Sequence, residues 1–79
     1  MSEEIMLDVR GKVCPIPVME VNKLSKTVKP GTVIKVLATD PAAKLDLQAW
    51  AKRTGNEILS IESETNYLVI RVRVNKPPA

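Results

Sequence analysis

The spacing of apolar residues in this chain switches between a two-residue and a three-to-four-residue period, and that alternation leaves few folds open. Ile5, Leu7 and Val9 alternate with polar or smaller neighbours, as in a short strand over 5–9. Pro17, Val21, Leu24 and Val28 recur at helical spacing while Glu20, Lys23, Lys26 and Thr27 fall elsewhere, which predicts an amphipathic helix over about 15–28. Lys29-Pro30-Gly31 turns the chain. Residues 32–39 are nearly continuously apolar, as suits a strand buried on much of both faces, with Lys35 directed to solvent. Asp40-Pro41 ends that strand. A second helix is expected from Ala43 or Asp46 to Thr54, with Ala43, Leu47 and Trp50 as its buried stripe and Gly55 at its C-terminal cap. Strands over 57–62 and 67–74, joined by Ser63-Glu64-Thr65-Asn66, complete the order βαβαββ.

This order predicts an α+β two-layer sandwich. The first two strands, joined through a helix, should be parallel with a right-handed crossover, and both helices should cover one face of a four-stranded mixed sheet. In the last strand Leu68, Ile70, Val72 and Val74 face one way, while Tyr67, Val69, Arg71 and Arg73 face the other, so the second sheet face should be partly wet. Seventy-nine residues make one domain, 1–79, with 75–79 expected as a flexible tail around Pro77 and Pro78.

Composition narrows the chemistry. Phe is absent, so the core must come from Val, Ile, Leu and Ala. Twelve basic against nine acidic residues give a net charge of +3, a mild excess that is weak evidence for a nucleic-acid partner. The acidic start Met1-Ser2-Glu3-Glu4 is unlike a signal peptide, and no apolar run approaches the roughly 20 residues that span a bilayer, so a cytosolic protein without membrane contact is expected. The one cysteine, Cys14, fits that compartment and excludes an internal disulfide. Without histidine there is no imidazole base, no Cys-His pair and a poor basis for zinc; no metal or cofactor is implied.

Cys14-Pro15-Ile16-Pro17 carries the sharpest chemical message. Proline is favoured at the first helical position, and Pro17 still lies in the first turn, so neither breaks an intrahelical bond. Cys14 then falls at about the N-cap, a poor use of a thiol as a cap but one that sets sulfur near the positive end of the helix dipole, where a thiolate is favoured. Arg10 and Lys12 add to that field; the two prolines subtract from it, because only Ile16 and Val18 keep N–H groups there. Lone cysteines are more often small buried hydrophobes than reactive groups, and on physical grounds alone both readings stand.

The run Leu7-Asp8-x-x-Gly11-x-x-Cys14-Pro15-x-Pro17-Val18 resembles the signature of the TusA/SirA-like sulfur-carrier family. The similarity continues through Lys29-Pro30-Gly31, Asp40-Pro41-Ala42, Asp46, Ala49-Trp50 and Thr54-Gly55, nearly the whole chain. The resemblance implies sheet order 1-2-4-3 with the fourth strand antiparallel to the rest. It implies a sulfurtransferase-type carrier in which Cys14 takes sulfur as a persulfide from a cysteine desulfurase or rhodanese-like donor and passes it to a DsrE-like acceptor. The carrier is expected to be a monomer when free. Gly11, Asp40 and Asp46, with Arg10 and Lys12, are candidate partner or electrostatic contacts around Cys14, with Pro15 and Pro17 shaping the helix start. Ala51, Asn56 and Gln48 stand where relatives often have Cys, His and Pro, which leaves the Cys14 chemistry intact but the particular partner undefined.

The remaining residues have plain structural readings. Asp40 reads as a turn former, Asp46 as a helix N-cap and Trp50 as core. Arg71 and Arg73 read as a solvated sheet face, and Lys52 and Arg53 as complements to the end of the second helix. The competing function is a non-enzymatic binding or regulatory module for RNA, since the layout also resembles a translation-initiation-factor domain. With only Trp50 and Tyr67 to stack on bases, nucleic acid is not the expected partner.

Overall fold

The computed structural model describes residues 3–13 and 15–75. Cys14 and the Pro77–Pro78 tail lie outside the described residues. The elements are β1 (Glu4–Val9), α1 (Ile16–Ser25), β2 (Val33–Ala38), α2 (Ala42–Thr54), β3 (Glu57–Ser63) and β4 (Leu68–Arg73). They form one sheet of order β1-β2-β4-β3. β1 and β2 are parallel, and β4 runs antiparallel to both of its neighbours.

Register explains the layering. Leu7, Val36, Ile70 and Ile61 lie in one row across the four strands, and Ile5, Ile34, Val72 and Ile58 in the next. Apart from Ile5, these rows share a core with Val21 of α1 and Ala43, Leu47 and Trp50 of α2, so both helices cover the same face. Leu59 is the extra residue of a β-bulge that keeps Ile58 and Ile61 both turned inward. The helices are tied to each other where the Trp50 indole N–H donates to Asn22 Oδ1 at 3.0 Å. Trp50 is 1% exposed, as expected of a core residue.

The opposite face is open and ordered by charge. Arg71 pairs with Glu62 of β3 at 2.7 Å and with Glu4 of β1 at 3.5 Å. Arg73 pairs with Glu57, its register partner. Leu37 and Val69, also register partners, are buried outside the main core cluster.

Several boundaries differ from the sequence reading. α1 ends at Ser25 rather than 28, where Thr27 N–H closes a turn on the Leu24 carbonyl at 3.0 Å. α2 begins at Ala42, so Asp46 sits in its body and is not an N-cap. Asp40 serves the helix start instead: its Oδ1 accepts from Ala42 N–H at 3.0 Å. Asn75 is anchored rather than frayed, its N–H donating to Asn56 Oδ1 at 3.0 Å and its side chain to the Gly55 carbonyl at 3.2 Å. No helix among the described residues is long and apolar enough to cross a membrane.

Candidate functional site

The candidate site lies where β1 hands the chain to α1. Lys12 N–H donates to the Val9 carbonyl at 3.1 Å, closing a turn whose third residue is Gly11. Gly11 has φ +82 with open space around it, so backbone conformation and not crowding selects glycine here. Its N–H donates to Thr39 Oγ1 at 2.8 Å, which binds this loop to the end of β2 beside Asp40.

Arg10 is held on the same loop. Its backbone N–H and Nε donate to Asp8 Oδ1 at 3.0 and 2.9 Å, and its Nη2 donates to Asp8 Oδ2 at 2.8 Å. Its guanidinium carbon also stands 5.2 Å from the centroid of the Tyr67 ring. Hydrogen bonds from the Arg10 side chain, then its backbone, hold the Asp8 carboxyl down at about 2, against an ordinary 3.8, and the same pairing raises the guanidinium. Arg10 is therefore charge-compensated within the loop. Lys12 is exposed, and none of the ion pairs among the described residues includes it.

Beyond position 14 the N-cap of α1 is Pro15, one residue later than the sequence reading placed it. The first helical residue is Ile16, and Pro17 follows at the second position. Pro15 makes no side-chain cap, but its carbonyl accepts from Met19 N–H at 3.1 Å and starts the helix. Ile16 N–H is spent on the Val13 carbonyl at 2.9 Å. With two prolines and one committed N–H, the first turn offers fewer donors to an anion than an ordinary helix start.

Pro15 at the N-cap and Val18 of α1 face Asp46, Ala49 and Arg53 of α2 across an open cleft of about 230 Å³. The structure thus brings together Pro15 and Asp46 on the cleft, and Gly11 and Asp40 through Thr39. Arg10 is turned instead to Asp8 and Tyr67. Val13 is 67% exposed, and Ile16 and Met19 are also exposed, so apolar surface borders the cysteine position in sequence.

Three features escaped the sequence reading. The Asp8–Arg10 clip had a signal in its i, i+2 spacing at a strand end, the pattern of an Asx-turn. Arg53 follows Asp46 and Ala49 on one stripe of α2, which helical periodicity shows once the helix is known to begin at Ala42. Thr39 meets Gly11 over a separation of 28 residues, and no local pattern signals that bond.

A protein-family model described as sulfurtransferase TusA matches residues 5–74. The sulfur carrier protein TusA of Allochromatium vinosum is 40% identical over 58 residues, covering 73% of this chain and 76% of that protein. The Bacillus subtilis protein YrkF, described as a candidate sulfur carrier, is 43% identical over 86% of this chain, which spans only 37% of YrkF. Among solved structures, the SirA-like protein of Desulfitobacterium hafniense matches with a TM-score of 0.75 and 28% identity, covering 91% of this chain and 99% of that one.

Proposed function

The chain belongs to the TusA sulfurtransferase family, and on that premise we propose that Cys14 accepts sulfur as a persulfide and hands it to a cysteine of a second protein. The Cys14 thiolate attacks the outer sulfur of a donor persulfide, and the donor thiolate leaves. An acceptor thiolate then attacks the terminal sulfur on Cys14, and the Cys14 thiolate leaves. Each step exchanges one sulfur–sulfur bond for another, so no oxidant or reductant is consumed. A chain with a single thiol suffices because donor and acceptor supply the others. The relay is placed in the cytoplasm, where free thiols persist. A desulfurase or rhodanese-like protein is the proposed donor, and a DsrE-like protein the proposed acceptor.

The observation that carries this reading is the setting of the chain's one cysteine: it lies in sequence between exposed Val13 and exposed Pro15, and Pro15 lines an open cleft. Lys12 supplies uncompensated positive charge next to that position, whereas Arg10 has spent its charge on Asp8. The RNA-binding alternative finds less support. Trp50 is buried and Tyr67 stands under Arg10, so neither aromatic ring is offered as a stacking platform.

Native-state alkylation of Cys14 with iodoacetamide across pH tests the proposal. The thiol should react fully without denaturant, with a pH midpoint below that of a free cysteine at about 8.5. A thiol that reacts only after unfolding is a core residue and removes the carrier role.

A further inference from the structure

We infer that the outward side of the helical layer is a docking face for an acidic protein surface that also carries apolar side chains. The inference rests on the relay reading, because it states what kind of partner that relay meets.

The observation behind it is where the charges lie. On the open sheet side the residues balance: Glu4, Asp8, Glu57 and Glu62 against Arg10, Lys35, Arg71 and Arg73. Every ion pair among the described residues is on that side. The helices and their connecting loops differ. Between residues 11 and 56, strand β2 aside, seven basic side chains stand against three acidic ones, Glu20, Asp40 and Asp46. All seven are exposed, and none enters those ion pairs. The excess positive charge of the chain is thus gathered on one layer and left uncompensated there.

Apolar surface is interleaved with it. On α2, Leu45 and Lys52 share the outward stripe, with Lys44 on one flank of it and Arg53 on the other, beside the cleft; Leu45 is 68% exposed. On α1, Met19 and Lys23 face outward, four residues apart, with Met19 56% exposed. Lysines around exposed leucine and methionine are complementary to carboxylates around an apolar contact, the arrangement of a steered protein–protein interface. Nucleic acid fits less well, since this layer exposes no aromatic ring and a single arginine among its seven cations.

The test uses the full chain and three short, cysteine-free, fluorescein-labelled peptides of Glu and Leu, Lys and Leu, or Ser and Leu, read by anisotropy. At low salt the Glu/Leu peptide should bind about ten-fold more tightly than the Lys/Leu peptide, and the preference should fall as the Debye length shortens from about 30 Å at 0.01 M to about 8 Å at 0.15 M. Lys44→Glu/Lys52→Glu should abolish the preference, Lys44→Gln/Lys52→Gln should reduce it, and Lys35→Glu on the sheet face should leave it within about two-fold. Leu45→Ser should weaken Glu/Leu binding without changing its salt dependence. Equal binding of all three peptides, or equal loss from Lys35→Glu, overturns the docking face. A labelled oligouridine that binds as tightly as the Glu/Leu peptide, through the same lysines, overturns it in favour of nucleic acid. The relay reading is scored separately by intact mass after treatment with inorganic polysulfide. Peptide preference without sulfur gain sinks the relay alone, and sulfur gain without peptide preference sinks the docking face alone.

Discussion

Asp8 and Arg10 close a unit three residues long, and its titration is the most local consequence of the structure. Arg10→Ala should return the Asp8 carboxyl from about 2 toward 3.8, measured by carbon-detected NMR; an unchanged value contradicts the clip. A carboxyl held down in the folded state adds stability that is present above its ordinary value and lost as pH falls from about 3.8 through about 2. Both side chains are more than two-fifths exposed, so the clip should matter more for holding the loop than for global stability. The same compensation predicts unequal roles for the two basic residues near Cys14. Lys12→Ala should slow native-state alkylation of Cys14 at neutral pH by about two-fold, and Arg10→Ala by less, because its charge is already met by Asp8. An equal or reversed order of rates would show that Arg10 reaches the thiol after all.

At the scale of the elements, the two helices depend on a polar joint inside an apolar core. Asn22→Ala leaves the buried Trp50 N–H without its acceptor and should cost about 1–3 kcal/mol in denaturant unfolding. An unchanged midpoint would mean that the joint adds nothing. Strand existence and facing were legible in β1 and β4 because Leu7 and Ile70 obey the two-residue period that burial on one face imposes, whereas the strand order came from the family resemblance and not from any period. Helix starts were less legible. Two aspartates, Asp40 and Asp46, each have the chemistry of a cap, and the stripe Ala43, Leu47 and Trp50 fixes a buried face without fixing where the helix begins. Only the bond from Ala42 N–H to Asp40 Oδ1 decides between them. At α1, Pro15 and Pro17 both tolerate a first turn, so sequence alone could not separate an N-cap at 14 from one at 15.

Across the whole molecule, the sequence shows a net charge of +3 that reads as scattered, and the fold sorts it. Glu57 and Arg73 lie sixteen residues apart and meet only because β4 is placed beside β3 in opposite sense; Glu4 reaches Arg71 only across β2. Sheet order therefore turns an even sprinkling of charge into one neutral face and one cationic layer, and the cationic layer includes the helix start that follows Cys14. Cys14 is proposed as the chemical centre on the Cys-Pro-Ile-Pro run, its family resemblance and the absence of any other thiol or imidazole. The cleft lined by Pro15 was not legible, because Pro15 and Arg53 come to line it only through the packing of α1 on α2. The most direct test of the carrier role is the intact mass of the folded chain after incubation with a persulfide donor, in wild type and in Cys14→Ser. Position 14 precedes the N-cap, and α1 is started by the Pro15 carbonyl, so the serine variant should keep its circular dichroism and unfolding midpoint. The wild type should gain one sulfur atom that a small thiol acceptor removes, and the serine variant none. A folded wild type that gains no sulfur, or a serine variant that does, contradicts the account.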